Sequence, residues 1–251
     1  MRAKLNWKLR RHPRKQKSMM KSRLDKERTM TNDTSYTYLD IETIPSQSPE
    51  LLERFKAEVT PPGNIKKQES IDAWMVENAE TKAREMMAKT SFDPAHGHIC
   101  TIAWAKDNGR VELSHAASIE DEADLLRDFF DDIDQYHSTT FVGHYVGGFD
   151  LRFILCRAVV LGIPIPRSIP RDPKPWSDRI FDTMTAWAGQ KSTISMDNLC
   201  DALGLEGKGD FDGSMVAEAW ANGEHQKIAD YCVQDVERTR AIHRRFMAVG
   251  W

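Results

Sequence analysis

Hydrophobic and polar positions alternate from Tyr36 to Ile41, a stretch rich in β-formers, which predicts a strand; Pro45 closes it soon after. Between residues 50 and 90 the period lengthens to that of a helix. Ile71, Met75, Met86 and Met87 recur about one turn apart, and the pattern is broken at Pro61-Pro62-Gly63. Residues 98–105 and 110–115 predict a hairpin about Asn108-Gly109, a pair suited to the positive φ values of a tight turn. An acidic amphipathic helix is expected over 119–136, a short strand over 139–143, and a helix over 149–161. Five prolines in 164–175 require an extended loop. A strand over 179–184 follows, then helices over 196–203, with Ser195 as N-cap, and near 214–222 and 225–247, with a Gly-rich turn at 204–213 between the first two. Strands that come first and include an antiparallel pair, followed by interleaved helices, predict an α/β layer fold with a mixed sheet.

Charge divides the chain of 251 residues in two. Residues 1–33 hold twelve Lys or Arg against three acids, a balance of +9, so the rest carries −12. The basic stretch has no apolar periodicity with which to build a core and predicts a disordered N-terminal extension ahead of a domain over 34–251. Three readings of it stay open: a solvated tail, a tail that touches nucleic acid, or a stretch upstream of a natural start at Met30. No apolar run approaches the roughly eighteen residues of a membrane span, so no membrane association is expected. Cys100, Cys156, Cys200 and Cys232 are scattered without a CxxC pair, and predict reduced core thiols in an intracellular, cytoplasmic protein.

Three groups of acids stand out. Asp40 and Glu42 are two apart on the first strand, so both point to one face near its end. Asp150 stands where a Gly-rich loop enters a helix, a place where an acid also complements the helix dipole. Tyr231 and Asp235 are four apart on the last helix, one turn above one another. Each group alone is ordinary. Asp182 reads as structural, and His96 and His98 as ordinary polar residues without further metal-ligand partners nearby.

Together, Leu-Asp-Ile-Glu-Thr at 39–43, Phe-Asp at 149–150 and Tyr-Cys-Val-Gln-Asp at 231–235 resemble, in order and spacing, the tyrosine-containing (DEDDy) branch of the DEDD 3′-5′ exonucleases, and within it the proofreading domain of family-B DNA polymerases and their stand-alone relatives. Residues 36–246 are covered. The sibling branch has a His five residues before the last Asp, where this chain has Asp230. The resemblance implies a ribonuclease-H-like fold, a mixed β-sheet flanked by α-helices. It implies hydrolysis of phosphodiester bonds at 3′ ends of single-stranded DNA with two divalent metal ions, Mg²⁺ or Mn²⁺. Asp40, Glu42, Asp150 and Asp235 would hold the metals, and Tyr231 would orient the attacking water. Hard carboxylate oxygens suit such ions.

Substrate contacts are expected from Thr43 and Ile44, which follow the first motif. His144 and Tyr145 are also expected to contact substrate; relatives usually carry an Asn at the position of Tyr145. Phe149 is a candidate to stack on a base, and Lys208 to reach a phosphate, although the Gly209 that follows excludes a Walker loop. Arg167, Arg171, Lys174, Trp176 and Arg179 in the proline-rich segment read first as a solvated loop, and second as cations with a stacking aromatic that bind a single strand without regard to sequence. Two alternatives are an exoribonuclease acting through the same residues and a catalytically silent nucleic-acid-binding module; the second predicts loss of the acids, all of which are present.

Overall fold

The computed structural model describes residues 35–135, 139–172, 177–207 and 209–251. The basic segment 1–33, Lys174, Trp176 and Lys208, on which sequence expectations were placed, lie outside the described residues.

β1 (Tyr36–Ile44) is the middle of a five-stranded sheet ordered β3-β2-β1-β4-β5. It pairs antiparallel with β2 (His98–Lys106), which pairs antiparallel with β3 (Glu112–His115) through the expected hairpin. On its other side β1 runs parallel to β4 (Thr140–Gly143), and β4 parallel to β5 (Ile180–Asp182). Parallel neighbours need a crossover, and helices provide it. The sheet is mixed and helices flank it, as the order of elements in the sequence implied.

A middle strand covered on both faces must be apolar on both, and β1 nearly is. Leu39 and Ile41 point into the main core with Phe129 and Phe130 of α3 (Glu122–Asp134) and Leu151, Phe153 and Ile154 of α4 (Asp150–Leu161). Tyr38 points the other way, packing with Cys232 and Val236 of the long C-terminal helix α8 (His225–Ala248). Asp40 and Glu42 share the parity of Tyr38, so the strand aims its two acids at α8.

The segment between β1 and β2 is helical, as expected, and the Pro-Pro-Gly turn divides it into α1 (Pro49–Glu58) and α2 (Gln68–Lys89). Ser48 caps α1, accepting from the Leu51 amide, and Pro49 occupies the first helical turn. A single 3₁₀ turn, Thr90–Phe92, leads out of α2. The strand expected over 179–184 is shorter than its pattern suggested. The Asp182 carboxylate accepts from the amides of Met184 and Thr185, so it caps α5 (Thr183–Ala188) and turns the chain into a helix. The helix expected over 119–136 begins with a 3₁₀ turn, Ile119–Asp121, set by a Ser118/Asp121 capping box. Ser195 caps α6 (Met196–Leu203) as predicted, and α7 (Val216–Ala221) precedes α8. Among the described residues no helix is long and apolar enough to cross a membrane.

Candidate active site

Pairing of β1 with β4 covers Tyr36–Tyr38, and Ile41 lies three residues beyond it. Its amide donates instead to Asp150 Oδ1 at 3.2 Å. That bond fastens the first turn of α4 against β1, one residue from each of the two strand acids. From the opposite side, α8 brings Cys232, whose thiol donates to Asp40 Oδ2 at 3.3 Å. Ligand atoms of Asp40, Glu42 and Cys232 all lie within 4.8 Å of one another, a group able to hold a metal ion. One turn along α8, Asp235 accepts from the Arg238 guanidinium at 2.6 Å and from the Tyr231 hydroxyl.

The electrostatics register this crowding. Burial, with the charges of Glu42, Asp235 and Asp150, holds the Asp40 carboxyl well above its ordinary range. Burial, assisted by Asp182 and Asp235, raises Asp150 to about 7 despite the amide bonds that favour its ionised form. Burial and then Asp235, Glu42 and Asp40 push the Tyr231 phenol up, and burial followed by Asp40 and Glu42 does the same for Cys232. Such a cluster of buried acids is what a cation relieves, and its donors are the hard oxygens that divalent ions of the Mg²⁺ class prefer. The residues therefore fit a divalent metal.

A pH prediction follows. A carboxyl with a raised folded pKa binds its proton more tightly in the folded chain, so its stabilising contribution is complete below the unfolded value of about 3.9. That contribution is lost as pH rises to about 7, the folded value for Asp150. In EDTA, the melting temperature should fall between pH 5 and 7.5. Mg²⁺ or Mn²⁺ should raise it more at pH 7.5 than at pH 5, since the metal competes with protons. Equal metal stabilisation at both pH values would contradict the buried cluster.

The other expected site residues divide. Thr43 is half-buried and its hydroxyl donates to the Ser91 carbonyl at 2.7 Å. Ile44 does not face substrate. It is 1% exposed and packs with Cys100, Val216, Ala219 and Ile228, because on the face it shares with Asp40 and Glu42 it is covered by α7 and the first turn of α8. The ring nitrogens of His144 are both engaged, Nδ1 with Thr183 Oγ1 at 3.0 Å and Nε2 donating to the Ile194 carbonyl at 2.8 Å, so its visible task is to tie the β4–α4 loop to α5 and the segment before α6.

Tyr145 is exposed and adopts φ +69°, a left-handed conformation that Asn accepts more readily than Tyr. Its amide donates to Asp182 Oδ1 and its ring covers Gly148, where a Cβ would come within 2.4 Å of it. Phe149 is half-buried and packs against the rings of Phe92 and Phe153. Asp182 is buried and its Oδ1 serves as helix cap and loop anchor, in line with its structural reading. His98 has a buried partner that sequence spacing did not reveal, since its Nδ1 lies 3.0 Å from Glu122 Oε2.

Sequence reasoning passed over two contributors to the site. Cys232 read as a core thiol; its place three residues before Asp235, on the same helical face, was the available signal. Phe211 comes from the Gly-rich turn and sets its ring 5.1 Å from that of Tyr231, edge to face. Lys227 Nζ lies over the Phe211 ring, 5.1 Å from its centroid. These residues and Gln234 line a cleft of about 590 Å³ that opens beside Tyr231.

No curated protein matches the chain. Among solved structures, it is similar to the family B DNA polymerase from the hyperthermophilic archaeon Pyrobaculum calidifontis, with a TM-score of 0.54 and 16% identity over 85% of this chain. That likeness is one of fold, and it identifies the mixed sheet with its flanking helices as ribonuclease-H-like. The chain spans 24% of the polymerase's length. A family model described as "Predicted 3'-5' exonuclease related to the exonuclease domain of PolB" matches residues 90–250. Asp40 and Glu42 precede the matched region, and it is β1, threaded between β2 and β4, that carries them to residues inside it. With nearly two thirds of its length accounted for in this way, the chain belongs to the family of predicted 3′-5′ exonucleases related to the exonuclease domain of PolB.

Proposed function

We propose that this protein removes nucleotides from the 3′ ends of single-stranded DNA by hydrolysis, with two divalent ions, Mg²⁺ or Mn²⁺, held by Asp40, Glu42, Asp150 and Asp235. The observation that carries this reading is the convergence of acids from β1, α4 and α8, with Glu42, Asp150 and Asp235 buried and Asp40 half-buried, into one group whose charges act on one another. Bound there, the ions would supply water activation and stabilisation of the leaving oxygen, the two needs of phosphodiester hydrolysis.

The chain's own residues account for the rest. Ile41 fixes the Asp150 carboxylate through its amide, and Cys232 fixes that of Asp40, so two acids hold their places by contacts independent of any ion. Tyr231 keeps its proton, because burial and three nearby carboxylates disfavour the phenolate. It therefore serves as a hydrogen-bonding group that orients water and not as a base. Phe211 supports its ring.

The direct test is degradation of 3′- and 5′-labelled DNA and RNA strands of the same sequence with Mg²⁺, Mn²⁺ or EDTA. Stepwise loss from the 3′ end of the DNA, abolished by EDTA, is the expected result; no shortening with either metal would overturn the proposal. Tyr231→Phe should lower kcat by roughly 10²-fold, the typical contribution of a positioned proton-handling group. Metal stabilisation of the fold should be unchanged. A variant that loses the metal-induced rise in melting temperature would show that the phenol had been given the wrong task.

A further inference from the structure

Phe149 was the aromatic residue that the sequence offered for base stacking, yet its ring is half-buried and packed against two others. The ring of Phe153, 1% exposed, lies 5.5 Å away and that of Phe92 lies 6.3 Å away. Exposure rises through the three contacting rings, from Phe153 through half-buried Phe149 to Phe92, which is 74% exposed.

Phe92 sits on a backbone held more firmly than an exposed residue needs. The Thr43 hydroxyl grips the Ser91 carbonyl at 2.7 Å. Thr90, buried, accepts from the Ser46 amide at 2.8 Å and donates to the Met87 carbonyl at 2.6 Å. The following loop closes on the same turn, with the Asp93 amide donating to the Thr90 carbonyl and the Gly97 amide to the Asp93 carbonyl. A Cβ at Gly97 would stand 2.2 Å from the Thr90 oxygen, so only glycine permits that approach. Thr43 directly follows Glu42 and Phe149 directly precedes Asp150, so Phe92 is tied to neighbours of the site acids by its backbone, through the Ser91 carbonyl, and by its ring, through Phe149. Lys89 and Arg152, both exposed, are the cations nearest in sequence to these rings.

A large apolar ring kept in water by a rigid turn beside a hydrolytic site suits a flat apolar partner that arrives with the substrate. We propose that Phe92 is the platform on which an unpaired base of the substrate strand stacks, and that it favours single strands because only unpaired bases offer a free face. This rests on the nuclease reading above and adds to it a residue that sets substrate preference.

The test compares the full chain with Phe92→Ala and Phe92→Trp on short oligodeoxynucleotides, intact or carrying one abasic residue at each of the three 3′-terminal positions in turn. Because base stacking is sequence-tolerant and substantial, Phe92→Ala should raise KM roughly tenfold with kcat nearly unchanged, and Phe92→Trp should restore it. The penalty should disappear on the strand whose missing base is the stacked one. An unchanged KM overturns the proposal while leaving hydrolysis by the wild type, and hence the nuclease reading, intact. An equal penalty on every abasic strand also overturns it, since the ring would then act through the turn and not through a base. Should the wild type not hydrolyse DNA, the anisotropy of a labelled strand in EDTA decides separately: weakened binding by Phe92→Ala supports the platform, and equal binding overturns it.

Discussion

Asp40→Asn should leave a folded protein with almost no hydrolytic activity. The amide keeps the shape of the carboxylate, and Cys232 can still donate to its oxygen, as it does to Asp40 Oδ2 at 3.3 Å. What is lost is the charge at the centre of the group, where Glu42, Asp150 and Asp235 all act on it. Metal stabilisation of developing charge is worth several kcal/mol. At 1.36 kcal/mol for each factor of ten, losing most of it lowers kcat roughly a thousandfold. Stability should move the other way, because the metal-free protein no longer ionises a half-buried carboxyl against three neighbours. The melting temperature in EDTA at pH 7.5 should rise, and the increase on adding Mg²⁺ should shrink. Asp182→Asn is the matching control. Asn is an equally good helix cap, and Asp182 is occupied with the amides of Tyr145, Met184 and Thr185. Its activity should stay within a few-fold of wild type. Wild-type turnover by Asp40→Asn would remove the site from β1 altogether.

What the sequence revealed followed periodicity. The acids of β1 were readable because a period of two places Asp40 and Glu42 on one face, and Tyr231 with Asp235 because four residues make one helical turn. Asp150 was readable as a helix start, but not as the partner of the Ile41 amide, since that bond depends on where β4 stops pairing with β1. Ile44 was misplaced for a related reason: alternation sends it to the face of Glu42, where it does lie, but no one-dimensional pattern announces that α7 and the start of α8 cover that end of the face. Phe92 and Phe211 were missed because they stand in turns, where no period marks which way a side chain points. Asp182 shows the converse, a strand pattern cut short by a side chain that the pattern takes for one more polar residue.

Arg157→Met should cost the fold more than any single change near the acids. Arg157 is two turns along α4 from Asp150, 3% exposed, and its guanidinium grips Glu122 through Nε at 2.7 Å and Nη2 at 2.6 Å. Glu122, 1% exposed at the start of α3, also accepts from the Ile99 amide at 2.9 Å and meets His98. One buried pair thus joins α3, α4 and the start of β2. Burial alone would raise the Glu122 carboxyl, but bonds from His98, Arg157 and Ile99 outweigh it and hold the group below its ordinary range. Removing one partner of a buried pair strands the other's charge and costs about 3–5 kcal/mol. For a domain of this size that is a fall in melting temperature of roughly 6–20 °C. Glu122→Leu combined with Arg157→Met should recover part of the loss, because no charge is then stranded, though the Ile99 amide keeps no acceptor. The pH dependence separates this account from simple loss of packing. In the wild type, a depressed carboxyl contributes stability above the unfolded value of about 4.3 and loses it as pH falls through the lower folded value. In Arg157→Met, burial is no longer outweighed, so Glu122 takes up a proton more readily and its stranded charge disappears in mild acid. The destabilisation by Arg157→Met, measured by denaturant titration, should therefore be smaller at pH 5 than at pH 7.5, and a penalty independent of pH would assign the effect to packing.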